Sequence, residues 1–145
     1  MEFANMTSAP PPFAEIRTRV RYAETDQMGV VYHANYLVWM EMARTELCRV
    51  RGFRYRDIER DDQLRLAVAE VNCRYRAPAR YDDEIIAKAW VAHAHPRMVT
   101  FAYEIRHELS GDIFATGETR HVMIDFNGRP VKIPPKYFPL FGLEP

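Results

Sequence analysis

The feature that most constrains this chain is an apolar segment with helical periodicity, from Asn35 to about Arg51. Asn35 suits the N-cap of a helix, and Gly52 suits the stop that follows it. Apolar side chains cover most of the circumference: Tyr36, Leu37, Val38, Trp39, Met40, Met42, Ala43, Leu47, Cys48 and Val50. A helix that is apolar on nearly all sides lies in a core, so the rest of the chain must wrap around it.

Five segments around this helix are predicted as strands: 16–23, 64–77, 84–93, 98–107 and 113–125. The first alternates, with Ile16, Val20 and Tyr22 on one face. Within 64–77 the apolar positions change from even to odd numbers, which predicts a bulge near Ala69. Short turns join the last four segments and favour an antiparallel sheet. One buried helix against one curved antiparallel sheet is an α+β, two-layer architecture.

Length and composition indicate a single domain. The chain has 145 residues, of which 48% are hydrophobic. We predict a flexible proline-rich arm over residues 1–13 and one domain over residues 14–145. The apolar, proline-rich tail after Asn127-Gly128 is expected on the surface or against a partner.

Charge and cysteine usage narrow the function classes. Twenty basic side chains balance twenty acidic ones, so nothing global indicates a nucleic-acid partner. The N-terminus lacks the features of a signal peptide, and no apolar run is long enough for a transmembrane segment. Two cysteines in unrelated segments are expected to be small buried residues in a reducing cytoplasm.

The histidines do not indicate a metal centre. His93 and His95 lie two apart, and His107 and His121 lie on other predicted strands. Neither cysteines nor a carboxylate cluster complete a coordination sphere around them. We therefore expect no metal site.

Two motifs carry a resemblance to a known family. The stretch YAETDQMGVVYHANYLVWMEMAR, from Tyr22 to Arg44, precedes and enters the predicted helix, and YRAPARYDDEI begins at Tyr75. In this order and spacing they resemble the signatures of hotdog-fold thioesterases of the 4-hydroxybenzoyl-CoA thioesterase type. YbgC-like acyl-CoA thioesterases are the most similar branch. The resemblance covers about residues 14–138.

The resemblance implies a fold, an assembly and a substrate. It implies the hotdog fold, in which a curved sheet of about five strands wraps a central helix. It also implies a homodimer or homotetramer in which two sheets join edge to edge and active sites lie at the subunit interface. The substrate would be an acyl-CoA, and no cofactor is needed because CoA is part of that substrate.

The resemblance places the catalytic carboxylate at Asp26. A carboxylate can attack a thioester carbonyl as a nucleophile or activate water as a base, and the sequence leaves both open. An Asx-turn in a loop is the structural alternative for this side chain. The backbone N–H of His33, at the positive end of the helix, would form the oxyanion site. The His33 imidazole could also take part.

Four further residues are predicted near the substrate. Tyr32 would form a pocket wall, and Asn35 would shape the oxyanion site by capping the helix rather than by direct contact. Gly29 would let the loop turn so that Asp26 faces the helix. Arg97, in a predicted hairpin turn, would lie near the CoA phosphates.

Glu41 is a second carboxylate to consider, because another hotdog branch takes its catalytic carboxylate from a helix. A buried or interface ion pair is the structural alternative for it.

The function implied is hydrolysis of acyl-CoA thioesters to free acid and CoA. Alternatives are an aromatic acyl-CoA substrate (4-hydroxybenzoyl-CoA or 1,4-dihydroxy-2-naphthoyl-CoA), an acyl carrier protein substrate, a hotdog hydratase or dehydratase, and a non-catalytic acyl-thioester binding or envelope-associated protein. The presence of Asp26 argues against a pure binder, which needs no such carboxylate.

Overall fold

The computed structural model describes residues 13–144. Within them the strands are β1 (Phe13–Arg19), β2 (Leu64–Tyr75), β3 (Glu84–His95), β4 (Met98–His107) and β5 (Ile113–Asp125). The α-helices are α1 (Asn35–Val50), α2 (Tyr55–Asp62) and α3 (Phe138–Phe141). The predicted arm lies outside the described residues except for Phe13, which opens β1.

The strands form one antiparallel sheet in the order β1-β3-β4-β5-β2. The predicted single antiparallel sheet is therefore confirmed. The predicted bulge is confirmed too, because the register of β2 against β5 shifts between Val68 and Glu70. In the described residues, β2 has a strand neighbour on one side only.

Helix α1 packs its inner face on the sheet through Tyr36, Trp39, Met40, Ala43, Leu47 and Cys48, which are all buried. The prediction of a helix buried on nearly all sides is wrong for this single chain. Val38, Met42 and Val50 are 47%, 43% and 60% exposed. The reason is geometric: one sheet layer covers one side of a helix and leaves the opposite side open.

Close approach between α1 and β5 depends on a glycine. A Cβ atom built on Gly117 would lie 2.7 Å from the Asn72 carbonyl oxygen and 2.8 Å from Met40 Cε. The Met40 thioether therefore occupies the space that a side chain at position 117 would need.

Two expectations about the first strand need correction, and one helix was not predicted. The first strand is Phe13–Arg19 rather than 16–23, because the Val20 N–H donates to Asp83 and a 3-10 turn, Tyr22–Glu24, follows. Tyr22 is therefore exposed rather than facing the core. Helix α2 was not predicted, since its sequence is almost wholly polar and buries only Ile58.

The C-terminal tail is part of the core and not a surface segment. Its buried apolar side chains are Ile133, Tyr137, Phe138, Leu140, Phe141 and Leu143. The ring of Phe141 lies 6.3 Å from that of Phe101 on β4. The tail thus packs against the sheet, which removes these aromatic groups from water.

A buried polar network crosses the core between α1 and the sheet. Arg44 donates to the Tyr103 hydroxyl at 2.9 Å, and that oxygen lies 2.5 Å from the Thr119 hydroxyl. Thr119 in turn lies 2.7 Å from Nε2 of His121, which is fully buried. Burial, followed by the positive charge of Arg44, lowers the pKa of His121 to about 4. The imidazole is therefore neutral inside the fold at neutral pH.

Among the described residues, none of the helices combines the length and the apolar character needed to cross a bilayer.

Candidate active site

The loop between the 3-10 turn and α1 is a small closed structure. Thr25 and Val31 form an antiparallel bridge, and the Asp26 N–H donates to Val30 at 2.9 Å. The Gly29 N–H donates a hydrogen bond to the Asp26 carbonyl at 3.0 Å. Gly29 has φ +76°, a left-handed conformation that glycine adopts without strain. The predicted turn at Gly29 is therefore confirmed.

The Asp26 side chain has two different oxygen atoms. Oδ1 accepts the Met28 N–H at 2.8 Å, which is the Asx-turn considered as its structural alternative. Oδ2 takes part in no hydrogen bond within residues 13–144. The turn therefore orients the carboxylate and leaves one oxygen for chemistry, so the structural and catalytic interpretations are compatible.

The beginning of α1 differs from the prediction at Asn35. The N-cap is Ala34, and Asn35 is the first helical residue. Its Nδ2 donates to the Glu24 carbonyl at 2.8 Å instead of its side chain capping the helix. The prediction of a side-chain cap is wrong because the Glu24 carbonyl, brought near by the turn, is a closer partner for this amide.

The N–H groups of His33 and Ala34 remain as donors at this helix end. In the described part of the chain, neither takes part in a hydrogen bond. Unsatisfied amides at a helix N-terminus combine donor capacity with the positive end of the helix dipole. The location is suited to a developing negative charge.

Asp26 and His33 line one cavity of about 400 Å³ that opens to solvent. The other lining residues are Met28, Val30, Val31, Tyr36, Tyr75, Arg76, Ala77 and Pro78. Two contacts hold the opposite walls together. The Val31 N–H donates to Ala79 at 2.8 Å, and the Ala79 N–H donates to the Tyr36 hydroxyl at 3.1 Å.

Three aromatic rings line part of this cavity. Tyr36 and Tyr75 meet edge to face at 5.3 Å, and the His33 ring lies 6.4 Å from Tyr75. Burial raises the pKa of Tyr36, and burial together with the neighbouring Cys73 raises the pKa of Tyr75 to about 12. Both phenols therefore keep their protons at neutral pH, and the wall they form is apolar with hydroxyl donors.

The model of the Thioesterase-like superfamily matches residues 20–138. The chain belongs to this superfamily. Among curated relatives, YneP of Bacillus subtilis is 39% identical over 73% of this chain and 75% of YneP. The acyl-CoA thioester hydrolase YbgC of Escherichia coli O6:H1 is 30% identical over 83% of this chain and 86% of YbgC.

Solved structures agree with this membership. A DHNA-CoA thioesterase from Staphylococcus aureus superposes with a TM-score of 0.81 at 33% identity, covering 88% of this chain and 84% of that chain. This chain has the hotdog fold, with a curved five-stranded antiparallel sheet and a central helix, as the resemblance implied.

The predicted site residues are only partly brought together in this superfamily member. Asp26 and His33 share the cavity, and Gly29 lies in the turn that carries Asp26. Tyr32 is 48% exposed and packs on the His33 ring at 4.4 Å rather than lining the cavity.

Arg97 lies at the far end of the sheet. It precedes Met98, which registers with Val122 and through it with Ala67. Tyr75, beside the cavity, lies eight positions after Ala67 on β2, which is roughly 26 Å of strand. Within one chain, the structure does not bring Arg97 to Asp26.

Among the cavity residues that were not assigned a site role from the sequence, three carry polar groups: Tyr36, Tyr75 and Arg76. Tyr36 was counted only among the apolar residues of the helix, and Tyr75 and Arg76 only as part of the predicted strand 64–77 and the second motif. The signal for Tyr75 and Arg76 lay in the second motif, which begins at Tyr75. Glu41, the alternative carboxylate, is exposed on α1 and does not line this cavity.

Proposed function

We propose that this protein hydrolyses acyl-CoA thioesters to free acid and CoA. The observation that carries the proposal is the cavity in which the Asp26 carboxylate and the amide end of α1 meet. Membership of the Thioesterase-like superfamily supports the same activity. A CoA substrate and two free cysteines favour the cytoplasm as its location.

The chemistry follows from the two groups. The His33 N–H donates to the thioester oxygen and stabilises negative charge as it develops, an effect of about 3–4 kcal/mol at comparable sites. With Asp26 as base, the carboxylate takes a proton from water, and the hydroxide formed adds to the carbonyl carbon. With Asp26 as nucleophile, an acyl-aspartyl anhydride forms and water then hydrolyses it. In both routes the C–S bond breaks and CoA leaves as the thiolate.

The second subunit is also part of the proposal. On β2, Val68 and Val71 are 51% and 45% exposed along a strand edge that lacks a neighbour among the described residues. The exposed Val38 and Met42 of α1 are further apolar surface outside the core. A copy of the chain that pairs at β2 would cover the edge, so we infer a homodimer, or a tetramer of such dimers, with the site at the interface.

The assembly is tested by placing a charge on the β2 edge. Val71→Lys should shift the chain to monomer in light scattering and lower thioesterase activity. Leu109→Lys, a matched change at an 85% exposed apolar residue in the β4–β5 turn, should alter neither. A Val71→Lys protein that stays fully oligomeric and active would contradict pairing at β2.

An aromatic acyl-CoA is the second candidate substrate, favoured by the Tyr36, Tyr75 and His33 rings around the cavity. The name of the Staphylococcus aureus relative points the same way. Rates of thiol release from short, long and aromatic acyl-CoAs distinguish the two. A protein that binds these thioesters without releasing thiol would be a non-catalytic binder.

Substitution of the carboxylate tests the mechanism. Asp26→Asn should bind substrate, because its shape is kept, and lose at least about 100-fold in turnover. Asp112→Asn, in the exposed β4–β5 turn, is the matched control and should keep the parent rate. Full activity of Asp26→Asn would exclude Asp26 as base or nucleophile.

A further inference from the structure

Glu24 is a buried carboxylate two residues before Asp26. Only 7% of its side chain is exposed. One oxygen accepts the Trp39 indole N–H at 3.0 Å. The other accepts the Arg21 backbone N–H at 2.8 Å and lies 3.3 Å from Arg21 Nε. Both oxygens are therefore satisfied, as burial of a carboxylate requires.

The backbone of Glu24 reaches the same helix. Its carbonyl oxygen accepts the Tyr32 N–H at 2.9 Å and the Asn35 amide at 2.8 Å. The carbonyl of Glu24 thus contacts the first turn of α1 at Asn35, and its carboxylate contacts the second turn at Trp39. Trp39 is itself 1% exposed and cannot shift without disturbing the core.

The contacts of Glu24 enclose the loop that carries the carboxylate. The chain leaves Glu24, passes through Asp26, and returns at Tyr32 to bond the Glu24 carbonyl. His33, whose N–H takes part in no hydrogen bond with the residues that the structure describes, follows immediately. The distance between Asp26 and the His33 N–H therefore depends on the contacts by which Glu24 holds the loop against α1.

We propose that Glu24 is a positioning residue for thioester hydrolysis, holding the Asp26 loop in register with the His33 amide through the bonds of its buried carboxylate to Arg21 and Trp39. The role rests on the proposed function. Glu24 does not line the cavity and does not touch the reacting atoms. Loss of Glu24 should slow the step in which the Asp26 carboxylate and the His33 N–H act on the same thioester carbonyl. Small displacements of reacting groups lower the rate of such a step by large factors.

Two variants separate positioning from packing. Glu24→Gln keeps the volume and an acceptor for Trp39 but places an amide against the Arg21 donors. Trp39→Phe keeps a ring in the core and removes the indole donor. Each should lower kcat by about 10–100-fold while KM changes by less than about threefold. Ile105→Val, a mild core change in β4, is the control for loss of stability alone and should keep kcat.

Two readouts that do not use turnover accompany the kinetics. Hydrogen exchange should speed up at the Asp26, Gly29 and Val31 amides in Glu24→Gln. In a Trp90→Phe background, Trp39 is the remaining tryptophan, and its fluorescence should change when the carboxylate is replaced.

The outcomes are distinct. An active parent with an unchanged kcat in Glu24→Gln, or a loss that Ile105→Val reproduces at equal stability, overturns the positioning role alone. A parent that hydrolyses none of the thioesters overturns the proposed function, and the role of Glu24 in it falls as well.

Discussion

The hydroxyl of Tyr75 donates to the backbone carbonyl of His33 at 2.8 Å. This bond joins the end of the edge strand β2 to the residue whose N–H faces the substrate in the proposed mechanism. Any movement of β2 is therefore transmitted to the start of α1. Since β2 is also where we infer that a second subunit pairs, assembly and the geometry of the site share one contact.

Removal of this hydroxyl should weaken catalysis without unfolding the protein. Tyr75→Phe loses one hydrogen bond, with a net value of about 0.5–1.5 kcal/mol, or roughly 2–10-fold in kcat/KM. Steady-state kinetics with an acyl-CoA measure it. Tyr81→Phe, an exposed tyrosine outside the cavity, should behave as the parent. An equal loss in both variants would count against the Tyr75–His33 link.

Gly117 should be intolerant of a side chain. Gly117→Ala places a methyl group 2.7 Å from the Asn72 carbonyl oxygen, and overpacking of this kind costs about 1–3 kcal/mol of unfolding free energy. Urea denaturation measures it. Adding Met40→Ala should not restore stability, because the Asn72 contact is backbone. Gly128→Ala, with open space but φ +79°, reports the conformational cost alone.

The stability of the fold should depend on pH through His121. Its pKa falls from 6.5 to about 4 on folding, so the unfolded chain binds a proton that the native state does not. The free energy of unfolding should therefore decrease as pH falls from about 6.5 to 4, by about 3 kcal/mol from this group. Below pH 4 both states are protonated, and this contribution becomes constant.

Urea denaturation between pH 4 and 8 checks the slope. His121→Asn should flatten the curve relative to the parent, whatever its stability at pH 8. His93→Gln, an exposed change on β3, should retain the parent slope. Identical slopes for the parent and His121→Asn would mean that the histidine is not held neutral in the native state.

The two thiols should react at different rates. Burial raises the pKa of Cys48 to about 11, so its thiolate fraction at pH 7.5 is below about 0.1%. Cys73 lies on the β2 edge and is partly exposed. Ellman's reagent should label Cys73 first and reach Cys48 only on unfolding. In Cys73→Ser, rapid labelling of the native protein would show that Cys48 is accessible.

Periodicity was sufficient for most of the sheet. The segments 98–107 and 113–125 coincide with β4 and β5, and the even-to-odd change near Ala69 located the bulge. These strands are predictable because the pleat of a half-buried strand requires apolar and polar residues to alternate along the sequence. Helix α2 follows no such rule, since a polar surface helix is stabilised by local contacts and leaves no apolar stripe.

The geometry of the candidate site was predictable where a motif carried it and unpredictable where it depends on tertiary contacts. From the motif we expected Asp26 near the His33 end of the helix and a turn at Gly29, and the structure has both features. It did not show that Asn35 bonds the Glu24 carbonyl, because that partner is set by a turn eleven residues earlier. The tail was misjudged for a similar reason: its prolines indicate irregular backbone, which does not exclude burial.

The tight fit of Met40 against Gly117 also bears on oxidative damage. A sulfoxide adds a polar oxygen to a thioether whose terminal carbon already fills the space above the glycine. In the native state the side chain is 1% exposed and shielded from oxidants. A chain oxidised at Met40 before it folds would have to seat that oxygen between helix and sheet, so the lesion would act on the yield of refolding and would not gradually inactivate folded protein.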